Sequence, residues 1–462
     1  MDEHDIFNKF QHGFRKGRSC LSQLLSHFDL ITRLLEEGKS VDIIYLDFAK
    51  AFDKVDIGLI LRKLQTLGIG GRLGRWLHAF LLNRYQSVLV EGQKSSAVPV
   101  ISGVPQGSVL GPLLFLILIG DIDDGVATSF ISSFADDTRV GHAYSSDQDT
   151  LQLQADLQAI YAWAKQNNME FNSDKFEHLH YSHKPSEAEI PVYKSDTGSA
   201  ITTKSSVRDL GIEMSCRARF TDHIKSQCEK IKSKIGWILR TFRTRELIPM
   251  LTLWKQLVLC EHDYCSQLWN PETTGDIQSL ELLQRSFLRK INTLNHLSYW
   301  EQLRKVKLYS LDRRRERYVV IYTWKILEGL VPNISEGANR ITPKWNDRRG
   351  RECKVPNIRS SAPLRIQSIR RSSFGIKGPR LFNSIPKQLR NLTGVTVEVF
   401  KAHLDKFLAS IPDEPLIPGY SLYRRCNTNS ILDWTNACHR TEEVAAQLTA
   451  VQPEAEASTT SP

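Results

Sequence analysis

Thr128-Ser-Phe-Ile-Ser-Ser-Phe134, then Ala135-Asp136-Asp137, then Thr138-Arg-Val-Gly-His-Ala-Tyr144: two β-rich runs meet at a turn carrying adjacent carboxylates. The flanking runs predict a hairpin with a tight turn. A lone Asp-Asp turn is most often a polar loop. The stretch Val41-Asp-Ile-Ile-Tyr-Leu-Asp-Phe48 changes that reading. It is short and mostly apolar, the pattern of a buried strand, and Asp47 lies at its end. A carboxylate on such a strand is costly to bury unless its charge is compensated. Adjacent carboxylates repel one another, and a divalent cation resolves the conflict. Hard oxygen donors select magnesium, with manganese as the alternative. Two such ions, about 3.5–4 Å apart, suit an in-line phosphoryl displacement by a hydroxyl.

Between the carboxylates lies Ser102-Gly-Val-Pro-Gln-Gly-Ser-Val-Leu-Gly-Pro112. Gly103 and Gly107 permit close backbone approach, Pro105 stiffens the loop, and Ser108 or Gly107 can open a helix. Helical stretches predicted at Ile57 to Leu67 and Asp149 to Gln166 alternate with the strands, which indicates an α+β domain.

The rest of the 462 residues bound the reading. The length suggests two or three units. Sixty-one Lys plus Arg stand against 51 Asp plus Glu, a net charge of +10 that fits a polyanionic partner. The eight cysteines are scattered without a paired framework, as in a reduced, intracellular protein. No secretory signal opens the chain, and the most apolar run, Val109 to Ile119, is too short to span a bilayer. A soluble protein of the nucleus or cytoplasm is expected, without membrane contact; its oligomeric state is open.

Texture changes along the chain. Residues 1–215 alternate β-rich and helical runs. Residues 216–331 read as basic and helical: Ile224, Cys228, Ile231, Ile235, Ile238 and Phe242 form one stripe, with Thr221 or Asp222 as the expected cap. The cations of Leu311-Asp-Arg-Arg-Arg-Glu-Arg317 read as a solvated helix face. Their interleaving with Trp237, Trp254, Phe287 and Trp324 keeps nucleic-acid contact open. Residues 332–373 read as a basic linker, 374–410 as a small helical unit, and 411–462 as a largely disordered tail.

Three segments in order, Tyr45-Leu-Asp-Phe-Ala-Lys-Ala-Phe-Asp53, Val104-Pro-Gln-Gly-Ser-Val-Leu-Gly-Pro112 and Phe134-Ala-Asp-Asp137, closely resemble reverse transcriptases of non-LTR retrotransposons of the jockey- and CR1-like group. The likeness extends to Gln11-His-Gly-Phe-Arg-Lys-Gly-Arg-Ser19, Asn172-Ser-Asp-Lys175, Val207-Arg-Asp-Leu-Gly-Ile212, Ser266-Gln-Leu-Trp-Asn-Pro271 and Gly378-Pro-Arg-Leu-Phe-Asn-Ser-Ile-Pro386. It implies a right-hand polymerase palm with partial fingers in 1–215, followed by a thumb-like helical region.

It also implies roles. Asp47, Asp136 and Asp137 would hold the metal ions, with the Phe48 carbonyl as a further ligand. Phe52 would pack under the sugar of a deoxynucleotide and exclude a 2′-hydroxyl. Gln106 and Gly107 would line the nucleotide and template pocket, and Lys175 would protonate the leaving pyrophosphate. Arg15 and Arg18 would lie near the triphosphate. Asp53 reads as a local hydrogen-bonding group. The partners implied are an RNA template, a DNA primer and dNTPs. Because the family carries additional fingers sequence before Gln11, the chain reads as an N-terminally truncated copy. Two other readings stay open: an inactive remnant that binds RNA, and an RNA-dependent RNA polymerase, against which Phe52 speaks.

Overall fold

The structure is a computed structural model that describes residues 6–183, 190–271, 273–411, 413 and 430–435. The chain divides into two compact units: Met1–Arg219 with Arg359–Arg370, and Phe220–Ile358 with Arg371–Pro462.

The first unit is α+β. Its elements in chain order are α1 (Cys20–Glu36), β1 (Ser40–Leu46), α2 (Ile57–Thr66), α3 (Gly71–Leu81), the short strands β2 (Arg84–Gln86), β3 (Leu89–Val90), β4 (Gln93–Lys94) and β5 (Val98–Val100), then α4 (Leu110–Leu118), β6 (Phe130–Phe134), β7 (Asp137–Tyr144), α5 (Asp147–Gln166), β8 (Glu177–Tyr181), β9 (Thr202–Lys204), β10 (Ser206–Asp209) and β11 (Ile212–Ser215). Five strands form one sheet in the order β6-β7-β1-β8-β9, antiparallel except for the last pair. The apolar run around Ile44 thus becomes the central strand, where both neighbours satisfy its backbone.

Side chains alternate across a strand. Ile44, Leu46 and Phe48 therefore enter one core with Ile60 and Leu64 of α2, Phe115 and Leu118 of α4, and Leu157 and Ile160 of α5. Each of these large apolar groups contributes about 2–5 kcal/mol against truncation to alanine. Asp47 is out of phase with that set, which directs it to the opposite face.

Helix starts are set by local chemistry. Ser19 and Ser22 close a capping box at α1, and the Asp56 carboxylate accepts from the Leu59 amide at α2. At α4, Pro105, Ser108 and Gly111 make the start: the Ser108 hydroxyl donates to the Pro105 carbonyl and accepts from the Gly111 amide, at 2.6 and 2.9 Å.

The second unit is mostly helical, and several expectations are corrected there. The stripe helix is Thr221–Thr241, with Ile224, Ile231, Ile235 and Ile238 buried, but its N-cap is Phe220 and no side chain caps it. The arginines of 311–317 are not a solvated face: Arg313 and Arg315 are buried, and Arg314 and Arg317 make bidentate pairs with Asp263 and Asp405. Carboxylates from distant segments explain Arg314 and Arg317, and Arg315 pairs with the local Asp312 at 3.0 Å. Trp254, Phe287 and Trp324 are core residues; Trp237 is exposed. Residues 332–373 are not an irregular linker. They contain a hairpin of strands Pro343–Asn346 and Gly350–Cys353 and a whole helix, Leu364–Ser372. The tail expected at 411–462 lies mostly outside the described residues. Within it, 431–435 is helical, Ile431 is buried, and its amide donates to Glu316 at 2.8 Å.

Candidate active site

The site begins at the open end of the β6–β7–β1 pairing. Leu46 pairs with Thr138, and Phe134 pairs with Asp137 across a two-residue turn of Ala135 and Asp136. One step beyond the β1–β7 ladder in the same register, Asp47 falls beside Asp137. A cleft of about 380 Å³ opens here, lined among others by Asp47, Asp137, Arg139, Lys175, Glu177 and Asp209. Asp136 is on the adjoining turn and does not line the cleft.

The electrostatics follow from that crowding. Burial pushes the Asp136 carboxyl above the ordinary carboxylate range, with the charge of Asp47 adding to the shift. Burial also raises Asp137, and the Asp136 charge adds to it, while Arg139 pulls the other way. The Lys175 ammonium lies 3.1 Å from Asp47 Oδ2 and supplies the nearest positive charge to that carboxylate. Two carboxylates, Asp136 and Asp137, whose acidity is suppressed by burial and then by neighbouring negative charge, beside Asp47 and its lysine, fit hard divalent cations. The side-chain oxygens of Asp47, Asp136 and Asp137 are nevertheless not gathered within 4.8 Å of one another. Among the described residues, the only group that tight is Asp42, His178 and His180.

That second group lies out of phase with Asp47 on β1 and pairs across to β8. Asp42 Oδ1 is 2.8 Å from His178 Nε2 and 2.6 Å from His180 Nδ1, and its Oδ2 accepts from the Tyr193 hydroxyl at 2.7 Å. His178 Nδ1 meets Thr203 Oγ1 at 3.0 Å. These contacts hold the Asp42 carboxyl down at about 2 despite its burial. Both carboxylate oxygens are occupied by hydrogen-bond partners, so the group is complete as a buried network tying β1 to β8.

The other expected residues fall in two further places. The 102–107 loop packs on the segment after β1: the Val104 amide donates to the Phe52 carbonyl at 3.0 Å, and Gln106 Nε2 donates to Asp53 Oδ1 at 2.7 Å. Gly103 has φ +83°, and a Cβ there would stand 2.8 Å from the Asp53 carbonyl oxygen, so only glycine fits. Gly107, with φ +77°, faces open space. Phe52 stacks on Phe115 at 4.5 Å and meets Phe14 edge-on at 6.3 Å. Phe48 is buried and stacks on Phe171 at 4.5 Å.

Arg15 and Arg18 lie elsewhere. Arg15 donates to the Asn8 carbonyl at 2.7 Å, and Arg18 to the carbonyls of Lys9 and Gln11 at 2.5 and 3.0 Å.

Two cleft residues escaped the sequence reading. Arg139 and Asp209 are both buried, and Arg139 Nε donates to Asp209 Oδ2 at 2.7 Å in a two-bonded pair. A buried-strand arginine carries the same signal as Asp47, a charge inside an apolar run. Its partner, on a separate hairpin, lies in the segment 207–212, where no apolar run marks it as a buried charge.

Residues 1–214 match the family model described as reverse transcriptase (RNA-dependent DNA polymerase). A probable RNA-directed DNA polymerase from transposon X-element of Drosophila melanogaster is 27% identical over 300 residues, 63% of this chain and 32% of that protein. The RNA-directed DNA polymerase from mobile element jockey of the same organism is 27% identical, covering 62% and 32%. That of transposon BS, described as probable, is 25% identical over 70% and 37%. The chain spans about a third of the length of these relatives.

Proposed function

Given that residues 1–214 form a reverse transcriptase domain related to those of non-LTR retrotransposons, we propose that the chain is an RNA-directed DNA polymerase that joins a primer 3′-hydroxyl to the α-phosphate of a dNTP on an RNA template. The observation that carries this reading is the cleft where Asp47, Asp137 and Lys175 meet, with Asp136 on the turn beside it.

Asp47, Asp136, Asp137 and the Phe48 carbonyl are the groups that would hold magnesium or manganese. Those ions would supply the positive charge that activates a hydroxyl and steadies a leaving oxygen. The chain's own groups do the rest by position and field. Lys175 carries the proton that a departing pyrophosphate needs, on an ammonium already beside Asp47. Phe52, backed by Phe115, presents a rigid ring suited to exclude a 2′-hydroxyl. Gln106, held by Asp53, and Gly107, with open space at its Cα, frame a surface on which a base pair can lie. Arg15 and Arg18 would reach a triphosphate only by giving up their carbonyl partners.

The test is primer extension on an RNA template, with dNTPs and with NTPs in parallel. Wild type should extend with dNTPs in the presence of Mg²⁺, and Asp136→Asn should lose at least about 10²–10³-fold, the scale of losing one preorganised electrostatic group. Equal extension by both proteins would sink the assignment, and preference for NTPs would favour an RNA-dependent RNA polymerase.

A further inference from the structure

We infer that Gln11 is the positioning residue of the carboxylate turn: its side-chain amide grips the backbone of Ala135 and so fixes the direction in which Asp136 and Asp137 present their oxygens to divalent metal. This rests on the polymerase reading for its purpose, but its geometry stands alone.

Ala135 occupies the first position of the two-residue turn with φ +55°, the left-handed region that L-residues avoid and where such turns normally place glycine. Something must hold it there. Gln11 Oε1 accepts from the Ala135 amide at 2.8 Å, and Gln11 Nε2 donates to the Ala135 carbonyl at 3.2 Å. The same Oε1 accepts from the Gly13 amide at 2.8 Å. One buried side chain thereby grips both ends of the strained residue, 124 positions away in the chain.

The backbone around Gln11 is docked to match. The His12 amide donates to the Ser133 carbonyl at 2.9 Å, and the Ser133 amide to the Phe10 carbonyl at 3.1 Å, so residues 10–12 run beside β6 as a parallel bridge. Gly13 follows, and a Cβ there would stand 2.4 Å from the Ala135 nitrogen, closer than any side chain permits.

The chemistry of the position selects glutamine. The grip needs an acceptor and a donor on one planar group, at a reach that asparagine lacks. A glutamate could accept from both amides, but it could not donate to the Ala135 carbonyl and would bring a further negative charge to Asp136 and Asp137. Groups that orient metal ligands from behind govern affinity nearly as strongly as the ligands.

The experiment compares Mn²⁺ binding, by titration of the free-ion paramagnetic resonance signal, in the full chain and in Gln11→Met, Asp136→Asn and Gln11→Met/Ala135→Gly, with thermal melts to measure the folded fraction. Gln11→Met should weaken Mn²⁺ binding by about 10–100-fold and raise the Mg²⁺ needed for half-maximal extension, while KM for dNTP moves less. Ala135→Gly removes the need for the grip, since glycine adopts positive φ freely. It should recover most of the affinity in the double variant, including when Gln11→Met alone folds poorly. A purely structural glutamine predicts lower stability with unchanged metal affinity in the folded fraction. Wild-type Mn²⁺ affinity in Gln11→Met or Asp136→Asn, or no recovery on adding Ala135→Gly, overturns the inference. Failure of the wild type to extend primers would instead count against the polymerase reading, and the Mn²⁺ comparison would still decide on Gln11.

Discussion

Asp136 carries a cost in the metal-free protein that its function would explain. Its folded-state acidity is suppressed first by burial and then by Asp47, so the ionised form destabilises the fold at neutral pH. Asp136→Asn, which removes that charge, should raise the melting temperature of the metal-free chain by about 2 °C at pH 7. The sign with pH follows. The advantage is full above the raised folded-state pKa, fades as pH falls through it, and is lost only below the ordinary carboxylate value of about 4, where both states are protonated. Saturating Mg²⁺ should reverse the order, because only the wild type gains from binding. Melts of both proteins with and without Mg²⁺, at pH 7 and pH 4, check the sign. A lower melting temperature for the variant in metal-free buffer at pH 7 would contradict it.

At the scale of elements, β7 is fastened to the β10–β11 hairpin by Arg139 and Asp209, which are 2% and 3% exposed. Breaking a buried pair leaves an uncompensated charge, so Arg139→Met should cost about 3–5 kcal/mol. The double variant Arg139→Met/Asp209→Leu should cost less than the single one. Urea denaturation of the three proteins measures both, and a double variant weaker than Arg139→Met would contradict the pair's role. Elements formed from nearby residues were readable in advance. The turn at 135–136, the central strand, α2 and α5 all announce themselves by period or by a charge in an apolar run. β8 did not, because Glu177-His-Leu-His-Tyr181 looks polar until Asp42 supplies a partner for both histidines. The hairpin 343–353 did not either, since its stability comes from contacts such as Arg351 with Glu328 and Cys353 with Asn383, which no local pattern records.

At the scale of the molecule, the first unit is not one continuous stretch of chain. Residues 359–370 belong to it, and Arg370 donates to Asp29 Oδ1 at 2.6 Å and Glu36 Oε2 at 3.2 Å on α1. Arg370 and Asp29 are each 2% exposed. Arg370→Met should therefore destabilise the first unit by about 3 kcal/mol and speed hydrogen exchange across α1. Unchanged protection of α1 would show that the remaining partners of Asp29, Arg33 among them, suffice. The carboxylate grouping was legible as a candidate site because three anomalous charges fell on short motifs. The return of 359–370 was not, because a basic stretch without periodicity looks the same whether its arginines meet solvent or a buried aspartate.

That return carries a consequence for synthesis. Asp29 leaves the ribosome 341 residues ahead of Arg370. At roughly 5–20 residues per second, α1 waits about 20–70 s for its counter-charge. A nascent chain bearing the whole carboxylate site is thus still an unfinished domain, and through that interval its first helix is a natural client for whatever chaperone attends the ribosome.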